Sequence, residues 1–304
     1  MRTGLLAVAL LLGLRAFAAP DFGVQHDEGQ LPFRGGGTLY TESWRGMGKP
    51  RGVLVVVPGF KDYAHRYELL ANALVPKAIY VYALDLRGRA CSTGERGWVE
   101  HFDDYVSDLS LFLSFVHSRE PGRPVFLFGQ GLGGTVALAY ALQHPELPGL
   151  VLSAPALGPG EAETGFRQTV VRMTAKFGPH DLGLEAADAL FSRDPGVVRA
   201  MAKDPLVDVR RTPAHAQLEL WDAMARLQKS EAALTVPLLV LQGTQDRVSS
   251  PAASYALIAH AKSTDKTLTP CDGCFHDLLH EPGHERAVMD VVLWLVNHLP
   301  SPRK

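Results

Sequence analysis

The chain has 304 residues, 46% hydrophobic and 20% charged, with 30 basic against 32 acidic side chains and a net charge of −2. This is a globular composition, ample for the core of one large domain. It excludes a nucleic-acid partner, because no basic run and no base-stacking aromatic motif is present.

Taken in order, the chain opens with Arg2, an apolar run over 5–12, and Ala16-Phe17-Ala18. That three-part pattern predicts a signal peptide at 1–18 and an exported protein. The run is too short to span a bilayer; an N-terminal anchor or a buried helix is the alternative. Residues 21–37 are polar and glycine-rich and read as a surface lead-in. Strand alternation follows at 38–44, and a continuous β-branched run at 52–57 marks a strand covered on both faces. A helix is expected at 65–74, a strand at 79–84 and a helix at 102–119. Strand 125–128, helix 132–143 and strand 149–154 come next.

From 156 to 234 the sequence offers helical stretches punctuated by prolines and no convincing strand. The sheet resumes at 236–241, followed by helix 251–261, strand 266–269 and helix 285–298. Alternation of this kind predicts an α/β fold: a mostly parallel central sheet with flanking helices, spanning 38–299, with a helical cap inserted at 156–234.

The densest signal is Val125-Phe126-Leu127-Phe128-Gly129-Gln130-Gly131-Leu132-Gly133-Gly134. A buried strand, a sharp glycine turn and a helix form the layout of the G-x-S-x-G nucleophile elbow of α/β-hydrolases. Gly129 and Gly133 are in place; Gly131 stands where the serine belongs. The plain alternative is a glycine-rich turn with no function. A phosphate loop lacks support, since there is no G-x-x-x-x-G-K-[ST]. Downstream, Asp246 follows the strand at 236–241 and His276 follows the strand at 266–269. Asp246 alone could be a turn residue, and His276 alone is one of 12 histidines. The ordered set Gly131, Asp246, His276, each after its own strand, matches the nucleophile–acid–base order of the fold.

These segments, with His65-Arg66-Tyr67 and Leu70-Ala71, Asp85-Leu86-Arg87-Gly88 through Gly97, Ser153-Ala154-Pro155 and Asp204-Pro205-Leu206, resemble the monoacylglycerol lipase and lysophospholipase branch of the α/β-hydrolases, described as serine aminopeptidase S33-like. The resemblance implies carboxylic ester hydrolysis and a small-molecule lipid or ester as ligand. It implies an oxyanion hole from the backbone N–H groups of Phe60 and Leu132, no cofactor and no metal, and a cap able to touch membrane lipid. Three departures stand out: Gly131 for the serine, Pro58 for a histidine, and Cys91 for a glycine.

Glycine at 131 rules out an acyl-enzyme at that residue, because acyl transfer here needs an oxygen nucleophile. A backbone oxyanion hole does not depend on that side chain. Three readings stay open: a protein that binds a lipid or ester without turnover, a weak hydrolase in which His276 activates water, and a serine-to-glycine variant of an ordinary esterase. Ser92, Ser153, Ser249 and Ser250 could lie near the site, but none is on the elbow. Cys271 and Cys274, two residues before His276, read most simply as a disulfide in an oxidising compartment. Free thiols and a metal site are the alternatives; the spacing with His276, His280 and His284 is not a standard zinc signature.

Overall fold

The computed structural model describes residues 23–33, 35–161, 165–181, 183–207 and 212–300. The leader expected at 1–18 lies outside the described residues. Five strands form the centre of the sheet: β3 (Gly52–Val57), β4 (Ile79–Leu84), β5 (Val125–Gln130), β6 (Leu150–Ser153) and β7 (Leu238–Gly243). Each is buried along its whole length. They are Val-, Leu- and Phe-rich because both faces of a parallel sheet must be covered. With β1 (Gln25–Phe33), β2 (Gly37–Arg45) and β8 (Lys266–Cys271) they make one eight-stranded sheet of order β1-β2-β4-β3-β5-β6-β7-β8. The pairs β1–β2 and β2–β4 are antiparallel and all others parallel.

Alternation along β3 divides the core. Val53, Val55 and Val57 pack with Phe102, Leu109 and Phe112 of α2 (Phe102–Arg119), Val136 and Leu138 of α3 (Gly131–Ala141), and Leu257 of α7 (Pro251–His260). Leu54 and Val56 point the other way, into Leu70 and Leu74 of α1 (Glu68–Leu74) and Val291 and Leu295 of α8 (Glu285–His298). Each such side chain contributes about 1.5–3 kcal/mol of burial, an upper figure because the unfolded chain is itself partly collapsed.

The polar stretch at 25–33 is a strand, not a surface lead-in. β1 is an edge strand paired only with β2, and its residues alternate between exposed and half-buried. An edge strand with one solvated face carries charges, Gly29 and Pro32 that a central strand would reject. The glycine departure also moves: counted along the pattern, Ala90 takes the glycine's place. Its φ of 41° is a left-handed conformation that a glycine adopts without strain. Cys91 follows it as an exposed free thiol.

Between β6 and β7 the described residues form α4 (Phe166–Phe177), α5 (Pro195–Lys203) and α6 (Ala214–Ser230), and no strand of the sheet. α4 and α6 meet through Val171, Ala214, Trp221 and Met224. No helix among the described residues is long and apolar enough to cross a membrane.

Candidate active site

Strand order places the site. From β3 the chain moves outward to β4, then returns to lay β5 on the other side of β3. In open α/β sheets, ligands bind at the carboxyl ends of the strands beside such a reversal. β3 runs out into Pro58-Gly59-Phe60, and β5 runs out into Gly131, which opens α3.

The turn at Gly131 is the tight strand-to-helix elbow expected of the motif, with φ of +49°. That conformation is left-handed and strained for any residue with a Cβ. A Cβ on Gly133 would collide with the carbonyl oxygens of Val57 and Pro58, so α3 approaches β3 only because the side chain is absent. Leu132 lies in the first turn of α3, where backbone N–H groups have no acceptor within the helix.

Asp246 and His276 converge on the elbow from β7 and β8. The His276 Nδ1–H donates to Asp246 Oδ2 at 2.9 Å. The other carboxylate oxygen accepts from the backbone N–H of Val248 at 2.8 Å and of Ser249 at 3.0 Å. Gln242 Nε2 donates to Oδ2 at 3.2 Å. A carboxylate only accepts, so Nδ1 carries the proton and Nε2 is left facing the elbow. A Cβ built on Gly131 would stand 3.0 Å from Nε2, close enough that the ring would have to yield by a few tenths of an ångström. Both side chains are buried. Burial alone would push the His276 pKa down, but the Asp246 charge and hydrogen bond outweigh it, and the value lies above the ordinary 6.5.

Several supporting residues surround the pair. Phe191 meets His276 edge-on at 5.3 Å, and Gln130 Nε2 donates to the His276 carbonyl at 3.3 Å. Arg66 donates to Asp277 at 2.6 Å and to Asp62 at 3.1 Å, tying the segment after β3 to the histidine loop. Lys61, with φ of 58°, is buried next to Phe60; its Nζ donates to Asp188 Oδ1 at 2.6 Å and to the Ala186 carbonyl at 2.7 Å. In the motif segment that follows β4, Asp85 and Ser92 form a clasp. Asp85 accepts from the N–H groups of Ala64 and Cys91, and Ser92 Oγ donates to the Asp85 carbonyl while accepting from Tyr40 N–H. Of the other serines, Ser249 lines the site's cavity. The cysteines Cys271 and Cys274 are disulfide-bonded, with Cα atoms 5.4 Å apart.

Phe60, Gly131, Leu132 and His276 all line one cavity enclosing about 860 Å³, part of it open to solvent. Its walls include Phe102, Tyr105, Leu184, Leu220, Met224 and Val248, contributed by α2, by the helical segment between β6 and β7, and by the turn after β7. Mostly apolar walls interspersed with polar groups suit a ligand with both an apolar chain and a polar head.

The profile described as serine aminopeptidase, S33 matches residues 48–283. The chain is 32% identical to a monoacylglycerol lipase of Mycolicibacterium smegmatis over 267 residues, covering 87% of this chain and 95% of that one. It is 32% identical to human monoglyceride lipase over 246 residues, 80% of each. The crystal structure of a Paleococcus ferrophilus monoacylglycerol lipase superposes with a TM-score of 0.77 at 29% identity, covering 86% of this chain and 99% of that one. With its sheet, its elbow and the Asp246–His276 pair in that setting, the chain belongs to the serine aminopeptidase S33 family of α/β-hydrolases, in the monoacylglycerol lipase branch.

Proposed function

We propose that this protein binds monoacyl lipids or their esters in the cavity between sheet and helices, and that it forms no covalent acyl-enzyme. The observation that carries the reading is the pairing of Gly131 with an otherwise complete setting. His276 is held by Asp246, and Phe60 and Leu132 line a largely apolar cavity, while the residue facing Nε2 has no side-chain oxygen. Pocket shape and backbone donors do not require a nucleophile. The relatives named for monoacylglycerol supply the substrate class.

A second reading is favoured by the orientation of His276, whose Nε2 faces the cavity. A water there would be deprotonated by Nε2 and attack the ester carbonyl directly. In serine proteases the hole and binding alone retain roughly 10³–10⁴-fold over water after loss of a triad member. A fluorophosphonate probe should leave the protein unlabelled, and a p-nitrophenyl acyl ester should turn over slowly, with His276→Ala abolishing the remainder. Labelling, or fast turnover insensitive to His276→Ala, would overturn the assignment of the site.

The helices at 156–234 serve in this reading as the cap over the cavity, and α4 as its contact with lipid. Phe166, Val170, Met173 and Phe177 fall on one face of α4 and are exposed, Phe166 to 80% and Phe177 to 78%. Arg167, Arg172 and Lys176 flank them and suit anionic headgroups. Export through the leader at 1–18 completes the proposal, supported by the three-part sequence pattern and by the Cys271–Cys274 disulfide.

A further inference from the structure

Arg89 lies on the cavity wall and is only 6% exposed. Its guanidinium sits 4.9 Å above the ring of Phe60, the residue that offers one oxyanion donor. Among the described residues it has no carboxylate partner, and its Nε is buried without any acceptor. The other charged groups lining its surroundings are Lys61, Asp62, Glu185 and Arg247. Lys61 is matched by Asp188 and Glu185, Asp62 by Arg66 and Tyr67, and Arg247 by Glu161. Lys61 and Arg247 thus each have a carboxylate within ion-pair distance, and Arg89 has none among the described residues. Two further buried hydroxyls line the same cavity without a partner among the described residues, Tyr105 Oη and Ser249 Oγ.

An arginine cannot discard its proton, and burying it unpaired is costly. A buried guanidinium without an ion-pair partner, on a cavity that two unsatisfied hydroxyls also line, is therefore suited to an anion, and guanidinium suits carboxylate and phosphate oxygens, to which it donates in pairs. Phe60, Phe102, Leu132, Leu184, Leu220 and Met224 on the same walls offer apolar surface to a hydrocarbon chain. We propose that the cavity takes a single-chain amphiphile with an anionic head, carboxylate or phosphate, and that Arg89 holds the anion; this rests on the cavity being a ligand site, as proposed above. A neutral ester is then the weaker ligand, and the preferred one already carries the charge that an acyl-enzyme cycle would only develop in passing.

The test is calorimetric titration of the mature protein with laurate, dodecyl phosphate and 1-monolauroylglycerol, each below its micellar concentration, and with inorganic phosphate. At least one of the two anionic amphiphiles should bind tenfold or more tighter than monolauroylglycerol; which one identifies the head. Arg89→Met should cut that ratio at least tenfold, and Arg89→Lys, which keeps the charge but not the paired donors, should restore part of it. Thermal melts establish that each variant is folded, and the Lys variant carries the comparison should the Met variant not fold. Equal affinity for charged and neutral ligands, or a preference unchanged in Arg89→Met, overturns the inference while leaving the cavity reading intact. Binding of inorganic phosphate as tight as dodecyl phosphate overturns it too, since the chain would then be irrelevant. Failure of all three amphiphiles to bind brings down the cavity reading itself.

Discussion

Gly131 sits in a backbone conformation that penalises any side chain. Placing serine there should cost about 1–2 kcal/mol, the usual penalty for left-handed φ, readable as a lower urea midpoint at unchanged slope. If the Asp246–His276 pair is fit for catalysis, Gly131→Ser should also raise p-nitrophenyl ester turnover by orders of magnitude and admit the fluorophosphonate label. A stable but inert Gly131→Ser would show that more than one oxygen has been lost. His276 gives a second handle. Its folded pKa lies above the free value of 6.5 because Asp246 outweighs the cost of burial. A group raised in this way stabilises the fold fully below its unfolded pKa and loses that contribution as pH climbs through the folded value. The same proton blocks Nε2 as a base. Residual ester turnover should thus rise with pH through a midpoint above 6.5, and stability should fall over the same window. Asp246→Asn should move that midpoint downward, because burial is then opposed only by the weaker pull of the Asp277 and Asp62 charges. A midpoint at or below 6.5 in the native protein would contradict the geometry.

At the level of elements, α4 offers the most direct experiment. Its exposed apolar face should carry the protein into the floating fraction with vesicles containing anionic lipid, and Phe166→Ser with Phe177→Ser should abolish flotation. Flotation that survives both changes would place the lipid contact elsewhere. The disulfide that braces the histidine loop predicts one free thiol, Cys91, in the unreduced denatured protein; three thiols would refute it. Which elements could be read in the sequence follows from what each one buries. β3 to β7 announce themselves because both faces are apolar, and α2 and α8 because their buried positions repeat at helical spacing. β1 hides because its neighbour on one side is water. The elbow, Asp246 and His276 are legible because each follows a recognisable strand. Their supports are not: Arg66 and Asp277 meet across 211 residues, and nothing local in either segment advertises the other. Arg89 is equally silent, since an arginine in a glycine-rich turn looks solvent-exposed until its burial is seen.

For the molecule as a whole, export is the expectation with the simplest check: mass spectrometry of periplasmic or secreted material should find an N-terminus near Ala19, and a retained Met1 would refute it. A different consequence belongs to Lys61. This residue follows Phe60 directly, yet its ammonium group is buried against Asp188 and the carbonyl of Ala186, across the cavity in the segment between β6 and β7. The peptide proposed to offer an N–H to a ligand's oxygen and the segment proposed to roof the ligand are thus joined by one side chain. Such a tether acts as a mechanical linkage: displacing the roof to admit a chain must either break a buried ion pair or pull on the donor loop. Admission and grip then cease to be separate events.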